Sequence, residues 1–133
     1  MIKPRGDVLI ERIRQGGNGE AAQELIEELA AGYPVANLRR LFQSERDDAV
    51  ETGAWIASEL GERVVPLLGD LSGLLRHRLR YVRAFALDAI LVATSPNNGD
   101  AIAEAVRLID DEDEGVRWTT AAAMEWGSRM RGR

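Results

Sequence analysis

Apolar residues recur along most of the chain at the three- and four-residue spacing of amphipathic helices. No segment alternates apolar and polar residues for long, as a half-buried strand would. Clusters of glycine, proline and asparagine interrupt the pattern, most clearly at 16–19, 32–34 and 95–99. The pattern predicts helices over residues 6–15, 20–31, 35–43, 47–60, 63–76, 80–94, 99–109 and 114–128.

The predicted helices recur in pairs. Val50, Val82 and Val116 lie 32 and then 34 residues apart. An apolar residue precedes each valine by eight positions, and small residues follow it at four and seven. Small residues at that spacing form one stripe, which a neighbouring helix can approach closely. A single pair cannot bury its apolar faces, so we expect three pairs to stack in this register around a continuous core.

These features predict an all-α fold of about eight helices in one domain. The helix at 80–94 is apolar nearly all round, so it should lie centrally, between the helices at 47–60 and 114–128. The first two helices lack the repeat pattern and are predicted to cap the N-terminal end. The expected order is cap, three helix pairs and a frayed tail, at residues 1–33, 34–61, 62–95, 96–128 and 129–133.

The helix pairs resemble HEAT repeats. The resemblance is clearest at residues 108–117, where an Asp-rich turn is followed by Val-Arg, and it recurs at 74–83 and more faintly at 41–50. With the helices that follow, these units cover about residues 34–128. The resemblance implies a right-handed α-α superhelix, a HEAT-like solenoid, in which the second helix of each pair lines a concave surface.

In that family, an aspartate in the turn and an arginine after the valine form a hydrogen-bonded ladder between repeats. The matching positions here are Asp111 with Arg117, and Arg83 in the middle unit. His77 replaces the middle aspartate, and Glu51 stands where the first arginine would be. The ladder is therefore incomplete, and Glu51 is a charge that the scaffold does not require.

One strip of the helix at 47–60 is the predicted centre of a binding surface. Glu51, Trp55 and Glu59 share a helix face, and a tryptophan beside carboxylates is typical of a hot spot inside a polar rim. The alternative is that Trp55 packs against the cap helices and the glutamates are only solvated. If the second helices line one surface, the predicted partner-binding residues are Glu51, Trp55, Glu59, Arg83, Leu87, Arg117 and Glu125.

The net charge of −5 and a pI near 5.0 argue against non-specific nucleic-acid binding and fit a basic protein partner. The chain has no cysteine, no apolar run long enough to span a membrane, and no secretion-signal pattern at residues 1–7. These features favour a cytoplasmic location. No nucleotide loop, nucleophile elbow or metal motif is present, so we expect no catalysis, no cofactor and no metal.

Three charged features need separate interpretation. The single histidine, His77, lies in a basic turn and is interpreted as a turn residue rather than a catalytic base. The acidic run at 110–114 lacks the ligand spacing of a calcium loop and fits a helix N-terminus. The arginine cluster at 76–83 could bind phosphate or carboxylates, or could pair with the acidic turn of the next repeat.

The run at 53–61 is similar to small bacterial HEAT-domain proteins found near polymorphic toxins, some of which are thought to be immunity proteins. The resemblance implies a protein that binds and neutralises a cognate toxin, with a nuclease as the most concrete case. The alternative is an adaptor or assembly scaffold that binds a helix or peptide of another protein. A nucleic-acid-binding HEAT-like protein is a minor alternative, because those proteins are longer and basic.

Overall fold

The computed structural model describes residues 2–16 and 19–93, and within them the fold is all-helical with no strand. The helices are α1 (Arg5–Arg14), α2 (Gly19–Ala30), α3 (Arg39–Phe42), α4 (Asp47–Ser58), α5 (Leu68–Leu74) and α6 (Arg80–Ala93). Short 3-10 segments, Val35–Leu38 and Gly61–Leu67, lead into α3 and α5. The predicted helices at 99–109 and 114–128, and Val116 with them, lie outside the described residues.

Glycine and proline explain several of the helix boundaries. Gly61 follows the end of α4 with a φ of 59°, the left-handed conformation that commonly terminates a helix at glycine. Pro34 precedes the first 3-10 segment, and Pro66 lies near the end of the second. Proline lacks a backbone N–H, and its absence costs least where a helix begins. In the structure, the segments predicted as helices at 35–43 and 63–76 each begin with one of these 3-10 segments.

The six helices form three successive pairs, in which α1 packs on α2, α3 on α4 and α5 on α6. We call α1, α3 and α5 the first helices, and α2, α4 and α6 the second helices. Each pair also packs on the next, first helix on first helix and second on second, whereas α1 and α2 have no extensive contact with α5 or α6. The buried residues form one cluster that includes side chains from all three pairs.

Small residues allow α4 to approach its neighbours closely. Ala54 and Ala57 are fully buried, and the most extensive packing between described helices joins α4 to α6. A Cβ atom on Gly53 would lie only 2.8 Å from Cβ of Leu41, so α3 and α4 meet where no side chain fits. Val50 is also buried, as the predicted stripe requires.

The burial pattern of α3 and α4 recurs in α5 and α6 after 33 residues, not after 32. Leu41 and Leu74 are buried in matching places, and so are Ala49 and Val82. The predicted alignment of Val50 with Val82 is therefore one residue out, which is about 100° around a helix. The sequence was compatible with either alignment, because apolar residues are adjacent at these positions. The packing of α6 against α5 selects the alignment after 33 residues.

Candidate protein-binding face

The second helices α4 and α6 each leave one side uncovered by the helices described. Their inner side packs on α3, α5 and each other, as the contact between Gly53 and α3 shows. The opposite side of the two helices is here called the outward face. Its residues are Glu51, Trp55, Glu59, Tyr81, Phe85, Asp88 and Val92, all of them at least partly exposed.

Contacts at both ends show that α4 and α6 run in the same direction. Asp47, at the start of α4, forms an ion pair with Arg78, which lies two residues before α6 begins. Past the other end of α4, a Cβ atom added to Gly61 would lie 3.9 Å from Cγ1 of Val92. At this end Asp88 of α6 also lies near Glu59 of α4, so the exposed sides of the two helices adjoin.

Trp55 occupies the middle of the α4 strip. Its side chain is half-buried and packs on the hydrophobic core, with the remainder open to solvent. Its backbone carbonyl accepts a 2.6 Å hydrogen bond from the Ser58 hydroxyl, within the same helix. The ring is therefore anchored in the core and still leaves part of its surface open to solvent.

Three carboxylates, Glu51, Glu59 and Asp88, surround Trp55 and continue onto α6. No basic side chain in the described part of the chain lies within ion-pairing distance of any of them. Partial burial of the Asp88 carboxyl, and then the nearby charge of Glu59, raise the pKa of Asp88. The ionised form of Asp88 is therefore disfavoured by its burial and by repulsion from Glu59, and it opposes folding at neutral pH.

Exposed apolar side chains complete the outward face on α6. Tyr81 and Val92 are 52% and 53% exposed, and Phe85 is half-buried. The rings of Tyr81 and Phe85 stack with their centroids 6.5 Å apart. The Arg80 guanidinium lies 4.7 Å from the centre of the Tyr81 ring, so this ring already holds one cation in the free protein.

The predicted site residues divide into three groups. The structure brings Glu51, Trp55 and Glu59 together on one surface, as expected. The placement of Leu87 on that surface is wrong, because its side chain is 0% exposed and lies in the core. The one-residue change in alignment is the reason, since Asp88 rather than Leu87 occupies the position equivalent to Trp55.

Arg83 also points away from the outward face. Its Nη1 donates hydrogen bonds to the backbone oxygens of His77 at 2.9 Å and Arg78 at 3.1 Å, in the turn before α6. Its role in the described structure is to hold that turn. Arg117 and Glu125 lie outside the described residues.

Four residues of the outward face were not predicted: Tyr81, Phe85, Asp88 and Val92. They are spaced at four, three and four residues, which is one stripe of a helix. That spacing was visible in the sequence. It was hidden because the helix is apolar nearly all round, so no stripe stood out as the exposed one.

The turn before α6 accounts for the histidine and part of the arginine cluster. The Nδ1 atom of His77 accepts a 3.1 Å hydrogen bond from the Leu79 backbone N–H, as expected of a turn residue. Burial, and then the charge of Arg83, lower the pKa of His77. Arg78 pairs with Asp47 of the preceding pair, while the acidic run at 110–114 lies outside the described residues.

A search of residues 2–16 and 19–93 found no cluster of three or more side chains that could hold a metal ion. No described helix combines the length and apolar character needed to cross a bilayer. Comparisons with protein-family models, curated proteins and solved structures found no match to this chain. The chemistry of the outward face is therefore the basis for a functional proposal.

Proposed function

We propose that this chain is a non-catalytic protein-binding module that holds a basic partner protein against its outward face. In its most concrete form, it is an immunity protein that covers and neutralises a cognate toxin. The observation that carries the proposal is the half-buried Trp55 among Glu51, Glu59 and Asp88, carboxylates with no cationic partner within residues 2–16 and 19–93.

Several carboxylates elsewhere in the fold are used differently, because they bridge helix pairs. Asp7 lies 3.6 Å from Arg40 and accepts a hydrogen bond from the Tyr33 hydroxyl, and Asp70 pairs with Arg39 at 3.0 Å. Those contacts join one helix pair to the next. Carboxylates that instead repel each other on a surface cost stability, and such a cost is typical of residues kept for function.

The packing of the described helices supports a HEAT-like solenoid as the scaffold. Each helix pair packs mainly on its neighbours, and the first pair meets the third only slightly, as where Arg63 donates a hydrogen bond to the Leu29 carbonyl at 3.4 Å; this is the contact pattern of stacked repeats. In such a stack the second helices line one continuous surface of fixed shape. A rigid surface loses little entropy on binding, so a small module can bind tightly.

A toxin that acts on nucleic acid fits this surface by charge. Its active site must be basic to hold phosphates, and a covering protein with opposed charge blocks that site and is steered to it. The exposed part of the Trp55 ring would supply the apolar contact at the centre of the interface. The carboxylates around it would supply the polar rim.

The test is co-expression with the product of the neighbouring gene, measuring both growth and the dissociation constant. We expect wild-type chain to restore growth and the Glu51→Lys plus Glu59→Lys variant to lose protection, with affinity falling 100-fold or more. The matched control is Glu11→Lys plus Glu45→Lys, which changes the same charge on α1 and in the turn before α4. Full protection by the first double variant would contradict the proposal. A tight complex with a harmless protein would support the module and exclude the immunity role.

A further inference from the structure

The row of α6 formed by Tyr81, Phe85, Asp88 and Val92 is the feature that the prediction missed, and apart from Phe85, which packs partly on the core, its side chains are exposed. We propose that this row, together with Trp55 and Glu59 of α4, docks an amphipathic helix of the partner that carries arginine or lysine beside apolar side chains. This inference rests on the proposed function and deepens it by naming the segment recognised.

The row has the dimensions of a helix-binding site. Tyr81 to Val92 spans 11 residue steps along α6, or about 16 Å at the helical rise of 1.5 Å per residue. That length matches about three turns of a partner helix. The surface runs between two helices with the same direction, and helices bind along such surfaces through side chains spaced at three and four residues.

Two of the three apolar side chains of the row, Tyr81 and Val92, are exposed, whereas Phe85 packs partly on the core. The inner side of α6 already buries Val82, Ala86 and Ile90 completely. Single exposed apolar side chains are ordinary on protein surfaces, but Tyr81, Phe85 and Val92 follow one another along a stripe. Exposed apolar side chains grouped in this way around a carboxylate are typical of an interaction site.

Charge selects the occupant. Asp88 lies in the middle of the stripe, close enough to Glu59 for their charges to repel. A cationic side chain placed between these two carboxylates would relieve the repulsion and form charge-assisted hydrogen bonds. Arginine fits best because its planar group also stacks on aromatic rings, as Arg80 already does on Tyr81. The same carboxylates would repel nucleic acid and anionic lipid.

The experiment uses the full chain and three synthetic helical peptides of 15 residues, about four turns. All have leucine along one face, and the flanking positions are arginine, glutamine or glutamate. We expect the arginine peptide to shift the amide signals of α4 and α6 and the Trp55 indole signal in an NMR titration. We expect binding to weaken at least tenfold with glutamine and to be undetectable with glutamate.

Variants then locate the site. Asp88→Lys and Tyr81→Ser should each weaken the arginine peptide about tenfold or more, while the control Glu45→Lys should stay within about twofold. Unfolding curves verify that each variant is folded. Equal binding of the arginine and glutamine peptides, or shifts confined to the first helices, would overturn the inference. Self-association of the chain through this row, detected by gel filtration, would overturn the inference as well.

The natural partner separates this inference from the proposed function. If binding is abolished by Glu51→Lys plus Glu59→Lys but unaffected by Asp88→Lys and Tyr81→Ser, the α6 row is not a docking site and the binding module stands. If no variant of either helix affects the partner, both proposals fail.

Discussion

The two sides of the second helices α4 and α6 differ sharply in what they are made of. The inner side consists of alanine, glycine and aliphatic residues that allow close packing, such as Ala54 and Gly53 against their neighbours. The outward side carries aromatic rings and carboxylates, such as Trp55 and Asp88, that leave part of their surface to solvent. The inner side explains why the chain folds, and the outward side carries groups that folding alone does not require.

The outward face also differs from the first helices in the ion pairs that its charged residues form. Charged residues on and beside the first helices bridge one helix pair to the next, as Arg39 does to Asp70. Exposed ion pairs of this kind contribute up to about 1 kcal/mol each, so they fasten the stack only modestly. On the outward face, Glu59 and Asp88 lie near each other with no such bridge to any residue of the described chain.

The largest change in the free energy of unfolding is expected from a variant that tests which side of α6 faces the core. Leu87→Ala should lower the free energy of unfolding by about 2–5 kcal/mol, because it leaves a cavity in the core. The matched variant Val92→Ala should change it by less than about 0.5 kcal/mol, since that side chain is half-exposed. Urea unfolding of both measures the difference. Similar costs for the two would restore the 32-residue alignment.

A smaller effect tests the close approach of α3 and α4. Gly53→Ala should lower the free energy of unfolding by about 1–3 kcal/mol, because the new Cβ would meet Cβ of Leu41 at 2.8 Å. Gly69→Ala adds the same methyl group to α5 where nothing lies within 4 Å, and it should raise stability by up to about 1 kcal/mol. Thermal unfolding of the two variants measures whether each change lowers or raises stability. Stabilisation by both changes would mean that the helices lie further apart.

The smallest effect tests the repulsion on the outward face. The pKa of Asp88 is raised in the folded state, so the ionised carboxylate opposes folding at neutral pH. Asp88→Asn should therefore raise the free energy of unfolding at pH 7 by a few tenths of a kcal/mol, because the group is exposed and screened. The gain should vanish as the pH falls below about 4, where aspartate is protonated in both states. A variant less stable than wild type at pH 7 would show that Asp88 supports the fold.

Much of the architecture followed from the sequence. All six helices in the described residues were expected, including the break before Asp47 and the termination at Gly61, because these depend on local periodicity and turn residues. Val50 and Val82 are both buried as expected, although the structure does not place them at equivalent positions. The first pair, predicted as a cap, also packs on the second pair, but much less extensively than α4 packs on α6.

The rotation of α6 about its own axis, which decides its exposed side, could not be predicted from the sequence pattern. A helix that is apolar nearly all round gives no signal for its exposed side, so a one-residue error exchanged Leu87 for Asp88. In α4 the charged residues Glu51 and Glu59 marked the exposed side, and the predicted strip is at least partly exposed there. Contacts of Arg83 with the preceding turn depend on tertiary geometry, which the repeat pattern does not contain.

The central claim is that the carboxylates of the outward face serve a partner and not the fold. The most direct measurement is the free energy of unfolding of the triple variant Glu51→Lys, Glu59→Lys and Asp88→Lys, together with its affinity for the arginine peptide. We predict stability within about 1 kcal/mol of wild type and no detectable binding. A variant that loses several kcal/mol of stability, or that keeps its affinity, would contradict the claim.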